Sequence, residues 1–477
     1  MKSNFPHIPF LHGWEGANGM LKTECIQSLD EGRDPAAIEK IKTQIATLAP
    51  TDHTALAECW YAFHEIPVRS DYPWHEPSDL ESIHASRDRA NHPLPPLTNP
   101  QGVLPDRMLG AWLGRSVGCA LGKPVECFMG RHGKLSSKDR IKTYLLGIDP
   151  TEYPIRDYFL GSSPASSVTG TLCCDPSTRE KIAFMETDDD IRYTVLGQVV
   201  LQKCGASFTS ADVAKSWLEY LGYSQVCTAE TIAYRNLVIR YGRNLDPGAD
   251  AAIDWDWVAT HQNPYREWIG AQIRADSWGY AAPGNPELAA EFAWRDARIS
   301  HVKNGIYGEM FCAAMIAAGF STTDPVQVVE AGLAEIPSRS RLYLEMRETI
   351  DICRTHEFRA EEFEAVLEKI YTRFGHYHPV HTNNNAALVV AALLLGRDDF
   401  EKVVTIAVMG GWDTDCNGAT AGSIWGAMFG GSRIPEKWTA PLNDTLYSFI
   451  PGYHPIAISE CARRSVEIAM AINPSMK

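Results

Sequence analysis

Two clusters of acidic residues are the part of the sequence best suited to chemistry. The first spans residues 186–190 with the sequence ETDDD, and the second spans residues 411–417 with the sequence GWDTDCN. Carboxylates packed this densely repel one another unless a positive charge lies between them. If the fold brings the two clusters together, their oxygen atoms form a cage suited to hard divalent cations.

Helix capping is the simpler explanation for either cluster alone. Both clusters precede predicted helices, and an Asp at a helix start accepts hydrogen bonds from free backbone N–H groups and suits the helix dipole. One Asp at each start is enough for that purpose. Three consecutive Asp residues at 188–190 and the DTD at 413–415 exceed it. The two clusters together therefore favour a metal site.

Two predicted helices carry glycine at every fourth position. The glycines are Gly110, Gly114, Gly118 and Gly122 in the first helix and Gly418, Gly422, Gly426 and Gly430 in the second. Glycine inside a helix costs roughly 0.5–1 kcal/mol relative to alanine, so these positions need a reason. Spacing by four clears one helix face and lets another backbone approach closely. Because one helix follows Asp413 and the other leads into Glu126, we expect this packing to hold the acidic site rigid.

The hydrophobic pattern predicts an all-α protein, because apolar residues recur at helical spacing and alternating strand patterns are nearly absent. Helices are predicted at 326–336, 341–355, 360–373, 384–396, 398–409 and 457–472. We expect a helical N-terminal region at 1–90, a proline-rich linker at 91–105 that cannot continue a helix, and a main domain at 106–473.

The overall composition argues against nucleic-acid and membrane partners. The 477 residues carry a net charge of −15 and no run rich in lysine or arginine. The longest apolar run, 386–395, is too short to span a bilayer, and the first residues lack the apolar core of a signal peptide. The twelve cysteines are scattered without CxxC spacing, so a zinc ribbon or disulfide framework is not expected. These features predict a soluble, cytoplasmic protein.

Three motifs, in this order, resemble those of the ADP-ribosylglycohydrolase family. The first runs from Asp106 to Glu126 and ends in GCALGKPVE, the second is the TDDD at 187–190, and the third is the GGWDTDCN at 410–417. The resemblance covers about residues 106–431. It implies a compact all-α ADP-ribosylglycohydrolase-like domain with a centre of two Mg²⁺ or Mn²⁺ ions. It also implies an activity that removes ADP-ribose from modified side chains or cleaves related ADP-ribose conjugates.

The resemblance also assigns roles to individual residues. The implied metal ligands are Thr187, Asp188, Asp189, Asp413, Asp415 and Cys416, with Asp415 placed to bridge the ions. Glu126 and Asp413 are the candidate catalytic residues, either of which would act as general base for the attacking water. Cys416 stands where many members have threonine. Because a thiol is a poor partner for magnesium, Asn417 or water are alternatives to it.

A third region is expected to line the substrate pocket. In the family, a glycine-containing loop and a nearby histidine approach the diphosphate and ribose, and the segments 277–284 and 299–305 match this loosely. The predicted substrate-binding residues are Gly279, Tyr280, His301 and Asn304. A core or helix-start position is the alternative for His301. The run of asparagines at 383–385 is interpreted either as a substrate-facing loop or as a polar turn that caps a helix.

Three functions stay open from the sequence. The favoured one is a metal-dependent hydrolase that cleaves the N- or O-glycosidic ribosyl bond of ADP-ribosylated side chains or of a small ADP-ribose conjugate. Carboxylates suit this reaction because cleavage of a ribosyl bond builds positive charge on the ribose ring. The alternatives are a two-metal phosphoester hydrolase and a non-catalytic, metal-binding relative, and the retention of Glu126 argues against the latter. The predicted partner is an ADP-ribose-containing substrate, and no oligomeric state is predicted.

Overall fold

The computed structural model describes residues 13–88, 94–242 and 245–476, and these residues form the predicted all-α fold. The helices of the N-terminal region are α1 (Ala17–Asp30), α2 (Pro35–Ile45), α3 (His53–Glu65) and α4 (Leu80–Ser86). The next helices are α5 (Pro100–Gly122), α6 (Ser137–Ile148), α7 (Ser166–Thr169), α8 (Asp189–Cys204), α9 (Ser210–Tyr220), α10 (Thr228–Arg240), α11 (Trp255–Thr260), α12 (Asp276–Ala281), α13 (Pro286–Ala297) and α14 (Lys303–Gly319).

The C-terminal third continues in the same way. Its helices are α15 (Pro325–Leu333), α16 (Arg341–Thr355), α17 (Phe363–Phe374), α18 (Thr382–Gly396), α19 (Phe400–Met409), α20 (Thr414–Phe429), α21 (Glu436–Thr439) and α22 (Ile458–Ile472). In the described ranges the only sheet is a two-residue antiparallel pair, β1 (Thr445–Leu446) with β2 (Ile456–Ala457). Within those ranges no helix combines the length and the apolar character needed to cross a bilayer.

The six helices predicted in the C-terminal half are confirmed, with ends that shift by a few residues because of capping. Asp399 accepts a hydrogen bond from the Lys402 amide, so α19 begins at Phe400. His381 accepts one from the Asn383 amide, so α18 begins at Thr382. The asparagines at 383–385 therefore belong to the first turn of α18.

The stretch predicted to be a helix-free linker is partly helical, and that prediction is wrong from residue 100 onward. Pro100 is the first residue of α5, where a proline loses no intrahelical hydrogen bond. Pro105 lies inside the helix. Part of the predicted linker, residues 91–93, falls outside the described residues.

Helices α5 and α20 pack antiparallel with their backbones in contact. A methyl group at Gly118 would lie 1.9 Å from the Gly418 carbonyl oxygen, and one at Gly122 would lie 2.2 Å from the Thr414 carbonyl oxygen. The remaining glycines meet in the same register, with Gly114 against Gly422 and Gly110 against Gly426. The predicted close packing is confirmed. The antiparallel register places the end of α5 against the start of α20.

Two further helices, α14 and α18, complete the interior around this pair. Every residue of α18 is buried, and so is every residue of α14 after the first. A helix that is buried on all sides carries apolar or small residues around its whole circumference, which explains why neither shows a polar face in the sequence. Both helices contact α20, so the start of α20 is held on several sides.

The N-terminal region is docked onto the main body by buried ion pairs. The guanidinium of Arg266 lies 2.6 Å from a Glu24 oxygen and 2.9 Å from a Glu31 oxygen, and all three side chains are buried. Apolar residues of α1–α3 form a cluster that includes Ile232 and Trp268 of the main body. Removing one partner of a buried pair typically costs about 3–5 kcal/mol, so these contacts fix the region strongly.

We predict that Gly118→Ala destabilises the protein by about 3 kcal/mol, because a methyl group there overlaps a backbone that has no room to move. The measurement is the free energy of unfolding in denaturant. Gly19→Ala is the matched control, since Gly19 lies in α1 with open space around it. That change is expected to stabilise by roughly 0.5–1 kcal/mol through helix propensity. Equal effects of the two substitutions would contradict the backbone contact.

Candidate metal centre

The acidic residues lie at the starts of α8 and α20. Asp188 caps α8, and its side chain accepts a hydrogen bond of 3.2 Å from the Asp190 amide. Asp413 directly precedes α20, but its side chain makes no capping hydrogen bond. Asp189 and Asp415 lie in the first turns of the two helices. Helix capping thus accounts for the position of the Asp188 side chain. It does not account for Asp189, Asp413 or Asp415.

The fold brings the two clusters together. Possible ligand atoms lie within 4.8 Å of one another in each of four groups of described residues. The groups are Cys119 with Asp188 and Asp415; Asp190 with Asp415 and Cys416; Glu126 with Asp413 and Asp415; and Asp188 with Asp189 and Asp190. Asp415 belongs to three of the four groups, so it lies at the centre of the cluster.

The cluster is buried on one side and open on the other. Asp188, Asp413 and Asp415 are buried, whereas Glu126 and Asp189 are partly exposed. One carboxylate oxygen of Asp415, Oδ1, is buried without a hydrogen-bond partner among the described residues. An orphaned buried carboxylate oxygen is costly, and a hard cation would satisfy it. The oxygen-rich donor set therefore fits a divalent ion, reached from the side of Glu126.

Mutual repulsion and burial keep these carboxyl groups from ionising together. Burial, and then the Asp188 charge, raises the pKa of Asp415 to about 6. Burial with the charges of Asp188 and Asp415 raises the pKa of Asp189 to about 8. The pKa of Glu126 lies well above its ordinary value, first because of Asp415 and second because of burial. Burial and Asp415 likewise raise the pKa of Asp413. A bound cation would allow all of them to ionise.

Two basic residues that the sequence analysis did not single out neutralise part of this charge. The ammonium of Lys123 lies 2.7 Å from an Asp188 oxygen. Burial is the largest influence and would raise the pKa of Asp188, but the charge of Lys123 together with hydrogen bonds from Lys123, Asp189 and the Asp190 amide holds that pKa below the ordinary value. Arg115 lies 3.2 Å from Asp190 and 2.7 Å from Asp276, with all three side chains fully buried. The sequence could have identified Arg115, because it is a charged residue inside the glycine-rich helix α5.

Cys416 is a hydrogen-bond donor in this site. Its thiol donates to an Asp190 oxygen at 3.1 Å, and burial followed by the Asp190 charge raises its pKa well above the ordinary value. Both effects keep the proton on sulfur in the ion-free protein, and because Cys416 also belongs to a candidate ligand group with Asp190 and Asp415, its ligand role stays a prediction. Asn385, which the sequence analysis placed only in a polar run, accepts hydrogen bonds from the Asp413 amide at 3.2 Å and from Asn417 at 2.8 Å. It positions the start of α20.

The four residues predicted to bind substrate lie in the interior. Gly279 and Tyr280 belong to the buried helix α12, and the Tyr280 hydroxyl hydrogen-bonds to Asp276 and Ser423. His301 is buried beside Ser300, as in the alternative interpretation, and Asn304 donates to Glu267 at 2.7 Å. All four residues are buried, so a direct contact with substrate is not supported. The apparent glycine loop is a short helix packed against α14.

Comparisons with known proteins identify the family to which this chain belongs. A family model described as ADP-ribosylglycohydrolase matches residues 100–466. No functionally curated protein matches the sequence. Among solved structures, the chain is similar to one described as an ADP-ribosylglycohydrolase-related protein complex, with 19% sequence identity, a TM-score of 0.49, and coverage of 78% of this chain and 99% of that one. Because the family model spans well over half of the 477 residues, this protein belongs to the ADP-ribosylglycohydrolase family, whose members hydrolyse ADP-ribose conjugates.

Proposed function

We propose that this protein is a metal-dependent hydrolase that cleaves the N- or O-glycosidic ribosyl bond of ADP-ribosylated side chains or of a small ADP-ribose conjugate. The observation that carries the proposal is the grouping of Glu126, Asp413 and Asp415 within 4.8 Å at the partly exposed side of the cluster. Family membership supports the ADP-ribose part of the substrate. The carboxylates support the bond that is cleaved, because the transition state of glycoside hydrolysis carries positive charge on the sugar ring.

Two Mg²⁺ or Mn²⁺ ions are the proposed cofactors. The residues that would hold them are Asp188, Asp189, Asp413 and Asp415, which lie in the candidate ligand groups, and Thr187, which the family resemblance adds. Bound there, the ions would supply positive charge to bind ribose hydroxyls and to orient a water molecule. Asp415 would be a central ligand, because it belongs to three of the four candidate ligand groups. Cys416 is the weakest of the proposed ligands, because a thiol is a poor partner for magnesium, and Asn417 or water are the alternatives.

Glu126 is the proposed general base. It is partly exposed at the open side of the cluster, whereas Asp413 is buried. A partly exposed carboxylate can be reached by a water molecule and can accept its proton as general base. Asp413 and Asp415 contribute negative charge beside the ribose carbon, which stabilises the transition state.

The proposed activity is tested by product analysis with ADP-ribosylated arginine, serine and nucleic acid in the presence of Mg²⁺ or Mn²⁺. We expect release of free ADP-ribose, and we expect Glu126→Gln to lower kcat by about 10²–10⁴-fold, the usual contribution of a general base. Asp175→Asn is the matched control, because Asp175 is an exposed carboxylate whose one ion pair within the described ranges is with Lys181. It should retain the wild-type rate.

Two results would contradict this proposal. Release of inorganic phosphate or AMP in place of ADP-ribose would indicate a phosphoester hydrolase. An absence of turnover on every one of these substrates, with either ion present, would favour a non-catalytic relative.

Metal binding gives an independent prediction with a defined pH dependence. In the ion-free protein the raised pKa values of Asp415 and Asp189, about 6 and about 8, mean that protons stabilise the folded state at low pH. That stabilisation is lost as the pH rises through these values, and a cation replaces it. We therefore expect Mg²⁺ or Mn²⁺ to raise the melting temperature more at about pH 8.5 than at about pH 5.

Variants identify the residues responsible for that shift. Asp415→Asn and Asp189→Asn should stay folded, bind less metal by elemental analysis and lose the cation-dependent rise in melting temperature. Asp175→Asn should keep it. A metal content unchanged in both site variants would refute the ligand assignment.

A further inference from the structure

Two cysteines lie beside the acidic site and are the most accessible thiols of the protein. Cys127 directly follows Glu126 in a short 3₁₀ helix, and Cys173 comes 46 residues later in the chain. Of the twelve cysteines, all of which fall in the described ranges, these two are exposed and the other ten are buried or half-buried. These two exposed cysteines lie side by side, because the Cys127 amide hydrogen-bonds to the Cys173 sulfur.

The two cysteines are in contact. The Cys127 amide donates to the Cys173 sulfur at 3.4 Å, and the Cys127 thiol donates to the Thr171 carbonyl oxygen at 3.3 Å. The Cys173 thiol also approaches the Lys123 carbonyl oxygen at 3.2 Å, and its amide donates to the Pro124 carbonyl oxygen at 3.1 Å. Cys173 is thus seated on the turn that carries Glu126.

Arg140 of α6 holds the two cysteine-bearing segments side by side. Its guanidinium donates to the Cys127 carbonyl oxygen at 3.2 Å and to the Thr169 carbonyl oxygen at 2.9 Å. The neighbouring Cys174 is buried and donates to Glu186, at the edge of the first acidic cluster. The segment that carries Cys173 therefore connects the turn of Glu126 with the start of α8. This arrangement keeps the two thiols together without a covalent bond.

We propose that Cys127 and Cys173 form a reversible intrachain disulfide when the protein meets low-molecular-weight disulfides such as glutathione disulfide, and that this bond lowers the activity of the adjacent acidic site. The effect on activity rests on the function proposed above. The formation of the disulfide does not.

The chemistry is a pair of thiol–disulfide exchanges. One thiol loses its proton to solvent, and its sulfur attacks glutathione disulfide. A mixed disulfide forms and one glutathione thiolate leaves. The second cysteine then loses its proton and attacks the protein sulfur of the mixed disulfide, expelling the second glutathione thiolate. The two protons convert the glutathione thiolates to thiols, so two cysteine thiols are oxidised and one glutathione disulfide is reduced to two glutathione molecules.

The disulfide would displace the turn that carries Glu126. Bonded sulfur atoms lie about 2.0 Å apart, so the sulfur atoms of these two free cysteines must approach one another. Cys127 must also give up the hydrogen bond of 3.3 Å from its thiol to the Thr171 carbonyl oxygen. Because Glu126 is the preceding residue, this movement shifts its carboxylate. A displacement of about 1 Å in a catalytic group can cost about 10²-fold in rate.

The test uses the full-length protein and glutathione disulfide. Non-reducing peptide mapping by mass spectrometry should show a Cys127–Cys173 linkage, and the rate of ADP-ribose release should fall about 10–10²-fold and recover with dithiothreitol. The double variant Cys127→Ser/Cys173→Ser should resist the oxidant. Cys25→Ser, which removes a half-buried cysteine of α1, is the matched control and should behave as the wild type.

The outcomes separate this inference from the proposed function. Glutathione adducts without the linkage, or a linkage to another cysteine, would overturn the disulfide. Full activity of the linked protein would overturn the regulatory effect. If the reduced protein releases no ADP-ribose, the proposed function fails. The cation-dependent rise in melting temperature then replaces activity as the measurement. If the disulfide-linked protein no longer shows this rise, the inference is supported. If the linked protein still shows it, the inference is overturned.

Discussion

The backbone contact between α5 and α20 is the constraint on which the acidic site depends. A side chain at any of the facing glycines would collide with the opposite backbone and push the helices apart. The antiparallel register sets Gly122 against Thr414, so the turn after α5 and the start of α20 meet at one end of the pair. The spacing of Glu126 from Asp413 and Asp415 is therefore fixed by main-chain atoms, which move less than long side chains.

The α5–α20 pair holds more carboxyl groups at its end than the neighbouring basic residues can neutralise. Six carboxyl groups lie together here, but Lys123 pairs only with Asp188 among them, and Arg115 pairs with Asp190 and is shared with Asp276. Burial makes the uncompensated charge expensive, and the raised pKa values of Asp189 and Asp415 are the result. Repulsion among these carboxyl groups destabilises the folded state, and the packing of the helices that position them offsets this cost. A site of this kind couples cation binding to the stability of the whole fold.

The thiols around the site differ in chemistry according to their burial. Cys119 and Cys416 face the carboxylates from the interior, where burial raises their pKa values and keeps them protonated. Cys127 and Cys173 lie at the outer edge, where both residues are exposed. The inner sulfurs are thus suited to donating hydrogen bonds within a hard, oxygen-rich centre, and the outer pair is suited to exchange with soluble thiols. Position relative to the surface separates the two roles.

The sequence by itself determined the all-α class, most helices, the close packing of the two glycine-rich helices and the acidic residues of the centre, because periodicity and composition are local properties of the chain. It did not determine the contacts of Lys123, Arg115 and Asn385, the donor role of Cys416, the interior position of Tyr280 and His301, or the pairing of Cys127 with Cys173. Each of these depends on atoms from segments far apart in the chain. Only the tertiary packing decides which groups share a buried volume and which face solvent.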